Sequence, residues 1–212
     1  MRDGFVRSGV PADRIEAVPN GVDKDWFQPE GERFELETAK SFKLLFVGGT
    51  TPRRGIDLLL SAHLRAFSAS DDVCLVIKDM GVGSFYKGQT SQELIRRCQR
   101  LAGGPEIVYL DGSLTARELA GLYRACDALV HPYRGEGFGL PIAEAMASAL
   151  PVIVTDHGAA RDFCHARTAY LIPARATGRA ARERVVSSLL WRHAADAANE
   201  RLARIVERPI RR

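Results

Sequence analysis

Residues 128–147 read Ala128-Leu129-Val130-His131-Pro132-Tyr133-Arg134-Gly135-Glu136-Gly137-Phe138-Gly139-Leu140-Pro141-Ile142-Ala143-Glu144-Ala145-Met146-Ala147. A short apolar run, a loop with three glycines and an apolar stretch opened by proline give the order strand, loop, helix. Gly135, Gly137 and Gly139 let backbone approach a ligand closely, and Pro141 suits the first helical turn, where its missing N–H has no intrahelical acceptor to lose. In an open α/β sheet such a loop lies beyond the carboxyl end of its strand, so N–H groups at the helix start face a crevice suited to an anion or a hydroxyl-rich ligand. Glu136 lies in the loop and Glu144 in the helix, with seven residues between them, so both can face one ligand from different heights. Each carboxylate can accept bonds from vicinal hydroxyls of a sugar or ribose. Taken singly, each has a plainer explanation: a surface charge for Glu136, and favourable charge near a helix N-terminus for Glu144. Together with the glycines and proline they read as a site.

Outward from this unit the same alternation recurs. Apolar, β-branched runs predict strands at 43–47, 73–78, 106–110, 128–131, 151–155 and 169–172. Amphipathic stretches predict helices at 55–69, 91–101, 116–126 and 140–149, with a shorter helical turn at 159–163. This is the pattern of an α/β domain, a Rossmann-like parallel sheet with helices on both faces. Residues 1–42 read as a leading segment, with an Asn20-Gly21 turn and a polar stretch at 28–40 that is a loop or a surface helix. Residues 43–174 form the domain, and residues 175–212 are an Arg/Ala-rich tail with a helical stripe through Val185, Leu189 and Leu202.

A second candidate loop follows the first strand: Phe46-Val47-Gly48-Gly49-Thr50-Thr51-Pro52-Arg53-Arg54-Gly55-Ile56-Asp57. Gly48 and Gly49 strip side chains from the strand end, and Arg54 stands where a guanidinium could grip a diphosphate. The run is not the G-x-G-x-x-G dinucleotide fingerprint, and Arg53 and Arg54 as a solvent-facing pair is an equally open reading. His131 and Tyr133 flank the Glu136 loop, either lining a pocket or serving as structural residues. Ser84, Tyr86 and Lys87 follow the second strand, near a ligand or in a surface loop.

Composition narrows the function classes. The chain has 212 residues, 46% hydrophobic and 26% charged, which suits one globular core. No apolar run is long enough to span a bilayer and the first residues lack a signal core, so a cytoplasmic protein, or one peripheral to the inner face of a membrane, is expected. Cys74, Cys98, Cys126 and Cys164 stand singly, without zinc spacing, and read as core residues. The net charge is +4, but residues 175–212 hold ten arginines against four acids, which leaves residues 1–174 at −2. The body is therefore slightly acidic and no nucleic-acid partner is expected; the tail is either a solvated helix or an arm for an anionic partner.

The runs Val18-Pro19-Asn20-Gly21-Val22-Asp23, Phe46-Val47-Gly48-Gly49 with Arg53-Arg54-Gly55, and Glu136-Gly137-Phe138-Gly139 through Glu144-Ala145-Met146-Ala147 resemble retaining glycosyltransferases of family 4 in order and spacing. Pro151-Val152-Ile153-Val154-Thr155 continues the likeness, which covers residues 5 to 173 and breaks off in the tail, a divergent end or an out-of-frame read. The resemblance implies the C-terminal, donor-binding half of a two-domain GT-B enzyme, with the acceptor-binding half in a separate domain or chain. It implies that Glu136 and the amides of Gly137, Phe138 and Gly139 hold the sugar, and that Glu144 binds the ribose. Gly48, Gly49, Thr50 and Leu140 would complete the donor-binding wall. Arg54 replaces the family's usual Lys on the diphosphate, and with Glu136 it is the expected catalytic pair. Thr50 stands where many relatives carry Arg, leaving Arg53 or Lys78 to supply a second positive charge. The expected ligand is a nucleoside-diphosphate sugar, with no cofactor and no metal; Asp23-Lys24-Asp25 is read as an accidental match to the D-x-D metal pattern. The alternative function is a non-catalytic nucleotide-sugar-binding module or truncated remnant that needs a separate acceptor-binding chain.

Overall fold

The computed structural model describes residues 2–174 other than 17, 19, 82, 84, 85 and 87. Six parallel strands, β1 (Phe42–Gly48), β2 (Val73–Asp79), β3 (Glu106–Leu110), β4 (Ala128–His131), β5 (Val152–Thr155) and β6 (Tyr170–Ile172), form one sheet in the order β3-β2-β1-β4-β5-β6. The connections are a short N-terminal helix α1 (Arg2–Arg7), then α2 (Ile56–Ala66), α3 (Gln92–Gln99), α4 (Ala116–Ala125) and α5 (Leu140–Ala147). The chain winds outward from β1 through β2 to β3, then returns to place β4 on the other side of β1. That reversal makes the carboxyl ends of β1 and β4 the switch point where open sheets form a crevice.

Alternation along the strands divides the core. Leu44 and Phe46 of β1, with Leu75, Ile77 and Val130, pack under Ile56, Leu59 and Leu60 of α2 and Ile95 and Cys98 of α3. Leu45 and Val47, with Cys74, Val76 and Leu129, pack under Ala120, Leu122 and Tyr123 of α4 and Ile142 and Ala145 of α5. Each fully buried Leu, Ile or Val contributes about 1.5–3 kcal/mol. All four cysteines are free and buried.

The expected strands and helices are all present, with ends moved by local chemistry. Helix α2 stops at Ala66 because Phe67 is extended, and α5 stops at Ala147, two residues before Ala149 takes a φ of +57°. Helix α4 starts on a capping box in which Thr115 N–H donates to Glu118 Oε2 at 2.7 Å and the Thr115 hydroxyl accepts from the Glu118 amide. The polar stretch at 28–40 is a loop, not a helix. It is strapped to α4: Arg124 donates to the carbonyls of Glu32, Trp26 and Gln28, and Phe27 meets Tyr123 edge to face at 5.8 Å. The tail beyond residue 174 lies outside the described residues, and among those described no helix is long and apolar enough to cross a membrane.

Candidate functional site

At the β1/β4 switch point the loop after β1 and the loop after β4 are stitched to each other. The Arg53 carbonyl accepts from the amides of Arg134 and Gly135, and Arg53 Nη1 donates to the Gly135 carbonyl at 2.8 Å. The Arg134 guanidinium forks onto both carboxylate oxygens of Asp57 at 2.7 Å and donates to the Pro52 carbonyl. That bidentate bond, with the charge of Arg134, holds the half-exposed Asp57 carboxyl below its ordinary pKa. Gly55, at φ +73°, begins α2 with its α-carbon against the Pro132 carbonyl, where a Cβ would collide.

Within this frame Arg54 pairs with Glu136 Oε2, both side chains largely buried. The other oxygen, Glu136 Oε1, accepts from the Gly137 amide at 2.8 Å and the Phe138 amide at 3.4 Å. Glu136 therefore closes on the cation and on two of the amides that the sequence reading offers to a donor, so cation, carboxylate and amides form one cluster. Glu144, buried on α5, accepts from the hydroxyl of the fully buried Tyr123 at 2.8 Å. Burial raises the Glu144 pKa against the lowering effect of that hydrogen bond. Carboxylate oxygens each accept two bonds, so Glu144 keeps capacity for ligand hydroxyls.

The remaining candidates separate into two places. Gly48, at φ +146°, lies under Arg54: a Cβ there would stand 3.8 Å from Arg54 Nη1 and 3.7 Å from His131 Nε2. Gly49 is covered by the Tyr86 ring, which a Cβ would strike. Gly139, at φ +96°, and Leu140 open α5, and the Phe138 ring rests 5.5 Å from that of Phe163. Thr50 and Lys78 are placed elsewhere. The Thr50 amide and hydroxyl both donate to Asp79, at 3.0 and 2.6 Å, and its hydroxyl accepts from the Ser91 amide. Lys78 is enclosed, its ammonium on the carbonyls of Asp79 and Gly112 at 2.7 and 2.8 Å, and burial lowers its pKa. Arg53 is exposed, with its Nη1 on the Gly135 carbonyl. Ser84 and Lys87 lie outside the described residues, and Asp23-Lys24-Asp25 is an exposed turn in which Lys24 pairs with Asp25.

Tyr133 is a structural residue, its hydroxyl held by the carbonyls of His157 and Thr155. His131 is not so held: it is fully enclosed, stacked on Phe46 at 5.1 Å, and neither ring nitrogen has a hydrogen-bond partner. Sequence reasoning missed the Asp57–Arg134 fork and the Tyr123–Glu144 bond. Their partners stand 77 and 21 residues apart, and no local pattern announces such pairs.

Comparison with known proteins shows the family and agrees with the fold. The family model described as Glycosyl transferases group 1 matches residues 41–189. D-inositol 3-phosphate glycosyltransferase of Segniliparus rotundus is 32% identical over 149 residues, 68% of this chain and 32% of that protein. The lipopolysaccharide core biosynthesis mannosyltransferase LpsB of Rhizobium meliloti is 31% identical over 67% of this chain and 42% of its own. The chain thus spans a third to two-fifths of the length of these relatives. Among solved structures, the C-terminal domain of a glycosyl transferase group 1 family protein, LpcC, from Francisella tularensis aligns with a TM-score of 0.55 at 22% identity, over 79% of this chain and 89% of that one. The Anabaena protein HepE, crystallised with UDP and glucose, aligns with a TM-score of 0.58 at 17% identity, over 97% of this chain and 60% of its own.

Proposed function

This chain belongs to the glycosyl transferases group 1 family, and from that premise we propose that residues 43–174 hold a nucleoside-diphosphate sugar in the β1/β4 crevice, for retaining transfer to an acceptor in the manner of family 4. The observation that carries this reading is the Arg54–Glu136 pair closed over the Gly137 and Phe138 amides. An incoming diphosphate, with its greater charge, exchanges for Glu136 on Arg54. The released carboxylate then accepts from sugar hydroxyls, and the freed amides donate to the ligand. Glu144 takes the ribose hydroxyls. As the bond to the anomeric carbon breaks, charge grows on the departing diphosphate, where Arg54, Arg53 and the amino end of α5 stabilise it. The acceptor hydroxyl then adds to the oxocarbenium-like sugar on the face the diphosphate has just left and gives its proton to an oxygen of that departing diphosphate, without a covalent enzyme intermediate and without a metal.

The UDP and glucose bound by HepE make UDP and UDP-glucose the first probes to try. Calorimetry should show UDP binding well above uridine, and Arg54→Ala should weaken UDP by about 1.5–3 kcal/mol, the worth of a bond to a charged group, while leaving uridine nearly unchanged. Equal losses for both ligands would remove Arg54 from the diphosphate. We propose further that residues 1–212 alone bind donor but transfer poorly, because effective molarities of up to roughly 10⁵–10⁸ M depend on holding donor and acceptor together. The acceptor-binding half belongs to a separate domain or chain.

A further inference from the structure

His131 carries a cost that a structural role does not explain. Its ring is wholly enclosed and stacks on Phe46 at an interplanar angle of 14°, a contact that phenylalanine would make as well. Yet it brings two nitrogens into the interior and pairs neither, whereas most buried polar atoms in proteins are paired. The exception is not scattered. Of the six unpartnered buried side-chain polar atoms among the described residues, four are Thr51 Oγ1, Arg54 Nε and the two nitrogens of His131. They belong to the loop after β1 and to the end of β4, the two segments that meet at the switch point.

The geometry shows where the imidazole is aimed. Gly48 leaves a gap at the end of β1, and its φ of +146° together with its missing side chain keeps that gap clear. His131 Nε2 stands 3.7 Å from the point a Cβ would take, and Arg54 Nη1 and Cζ stand 3.8 and 3.9 Å from the same point. Imidazole and guanidinium thus border one gap, with the guanidinium held by Glu136. On the donor-site reading, a diphosphate that takes Glu136's place on Arg54 brings its oxygens to this gap. Burial, then the charge of Arg54, hold the His131 pKa down at about 4 against the raising effects of Glu136 and of the Val47 backbone, whose approach falls short of a formed hydrogen bond, so the ring is neutral and offers one N–H without adding charge.

We propose that His131 is a ligand-contacting residue whose Nε2–H donates across the gap above Gly48 to an oxygen of the diphosphate held by Arg54. This rests on the donor-site reading given above, and it assigns the imidazole to the diphosphate rather than to the sugar or base.

The test replaces His131 by phenylalanine in the full chain, which keeps the stacked ring and removes both nitrogens. The melting temperature of the free protein should stay level or rise, because two unpaired polar atoms leave the interior. The affinity for UDP should fall about tenfold, the loss expected for one hydrogen bond to a charged group, while uridine binding holds. Imidazole nitrogen resonances of histidine-labelled wild-type chain give a second readout independent of any variant: UDP should shift one of the five histidines strongly, and that signal should be absent from His131→Phe. Wild-type chain that binds UDP, with His131→Phe binding it equally and no histidine signal moving, overturns this proposal and leaves the donor site standing. Wild-type chain that ignores UDP overturns the donor-site reading and this proposal with it.

Discussion

Two buried polar clusters sit at the carboxyl edge of the same sheet, and they are built on opposite terms. On the β2 side, Asp79 accepts from the Thr50 amide, the Thr50 hydroxyl and the Tyr109 hydroxyl, and Lys78 Nζ rests on two carbonyls. Nothing in that cluster is short of a partner among the hydrogen bonds described. In the β1/β4 crevice, Arg54 Nε, Thr51 Oγ1 and both nitrogens of His131 have none, and the central bond joins the Arg54 cation to the Glu136 carboxylate. A saturated buried network holds the backbone in place; an unsaturated one at a switch point stores binding capacity. Charge alone does not separate them, since Lys78 and Asp79 stand in one and Arg54 and Glu136 in the other. The count of unmet hydrogen bonds does.

The largest test of that contrast is Asp79→Ala, which strands the Thr50 amide and two hydroxyls in the interior. Stability should fall by about 3–5 kcal/mol in urea denaturation, the scale for breaking a buried charged network. A loss near zero would place Asp79 among the exchangeable groups instead.

Acid probes the same contrast through protonation. His63 and His131 both have pKa values of about 4 in the folded chain, chiefly because burial disfavours the charged ring, against an ordinary 6.5. The unfolded chain therefore binds more protons between those values. Stability from this source is complete above pH 6.5 and is lost as the pH falls towards 4, on the order of 3 kcal/mol for each histidine. Urea midpoints measured across that range should show the loss, and His131→Phe should remove about half of it. A variant that keeps the whole slope would mean that His131 is already solvated in the folded protein.

The smallest effect serves as a control. Ala149 is exposed and adopts the left-handed conformation just past α5, while the Leu150 amide closes on the Ala145 carbonyl at 2.9 Å. Ala149→Gly relieves that strain and should raise stability by about 1 kcal/mol. UDP affinity measured alongside should not move. If it does, the expected exchange of stability for affinity at His131 is not specific to the crevice.

Much of this was legible in the sequence, for physical reasons. Runs such as residues 73–79 are β-branched and apolar because both faces of a parallel strand are covered, and the 135–141 loop carries glycines and proline where a strand must hand over to a helix. Arg54, Glu136 and Glu144 could be singled out because loop position and helix spacing are local properties. What escaped was the state of each side chain. Thr50 and Lys78 have the right chemistry for a donor and the right place in the chain, but Asp79 and the Gly112 carbonyl hold them, and those partners arise only when β2 lies between β1 and β3. His131 was visible as a strand-end residue; its lack of partners is a property of the packed core.

The two loops of the crevice are remote in the chain: Arg54 and Glu136 are 82 residues apart, and the Lys43 amide reaches Asp127 across 84. During synthesis β1 can pair with β2, and β2 with β3, as they emerge, but the other edge of β1 stays open until β4 has been made. A nascent chain halted between residues 111 and 127 would present that bare edge to other chains, an invitation to misassembly. Such non-local closure also makes the crevice a late product of folding. On the proposed donor site, a nucleotide would stabilise the finished domain but would have nothing to hold while the domain is still being made.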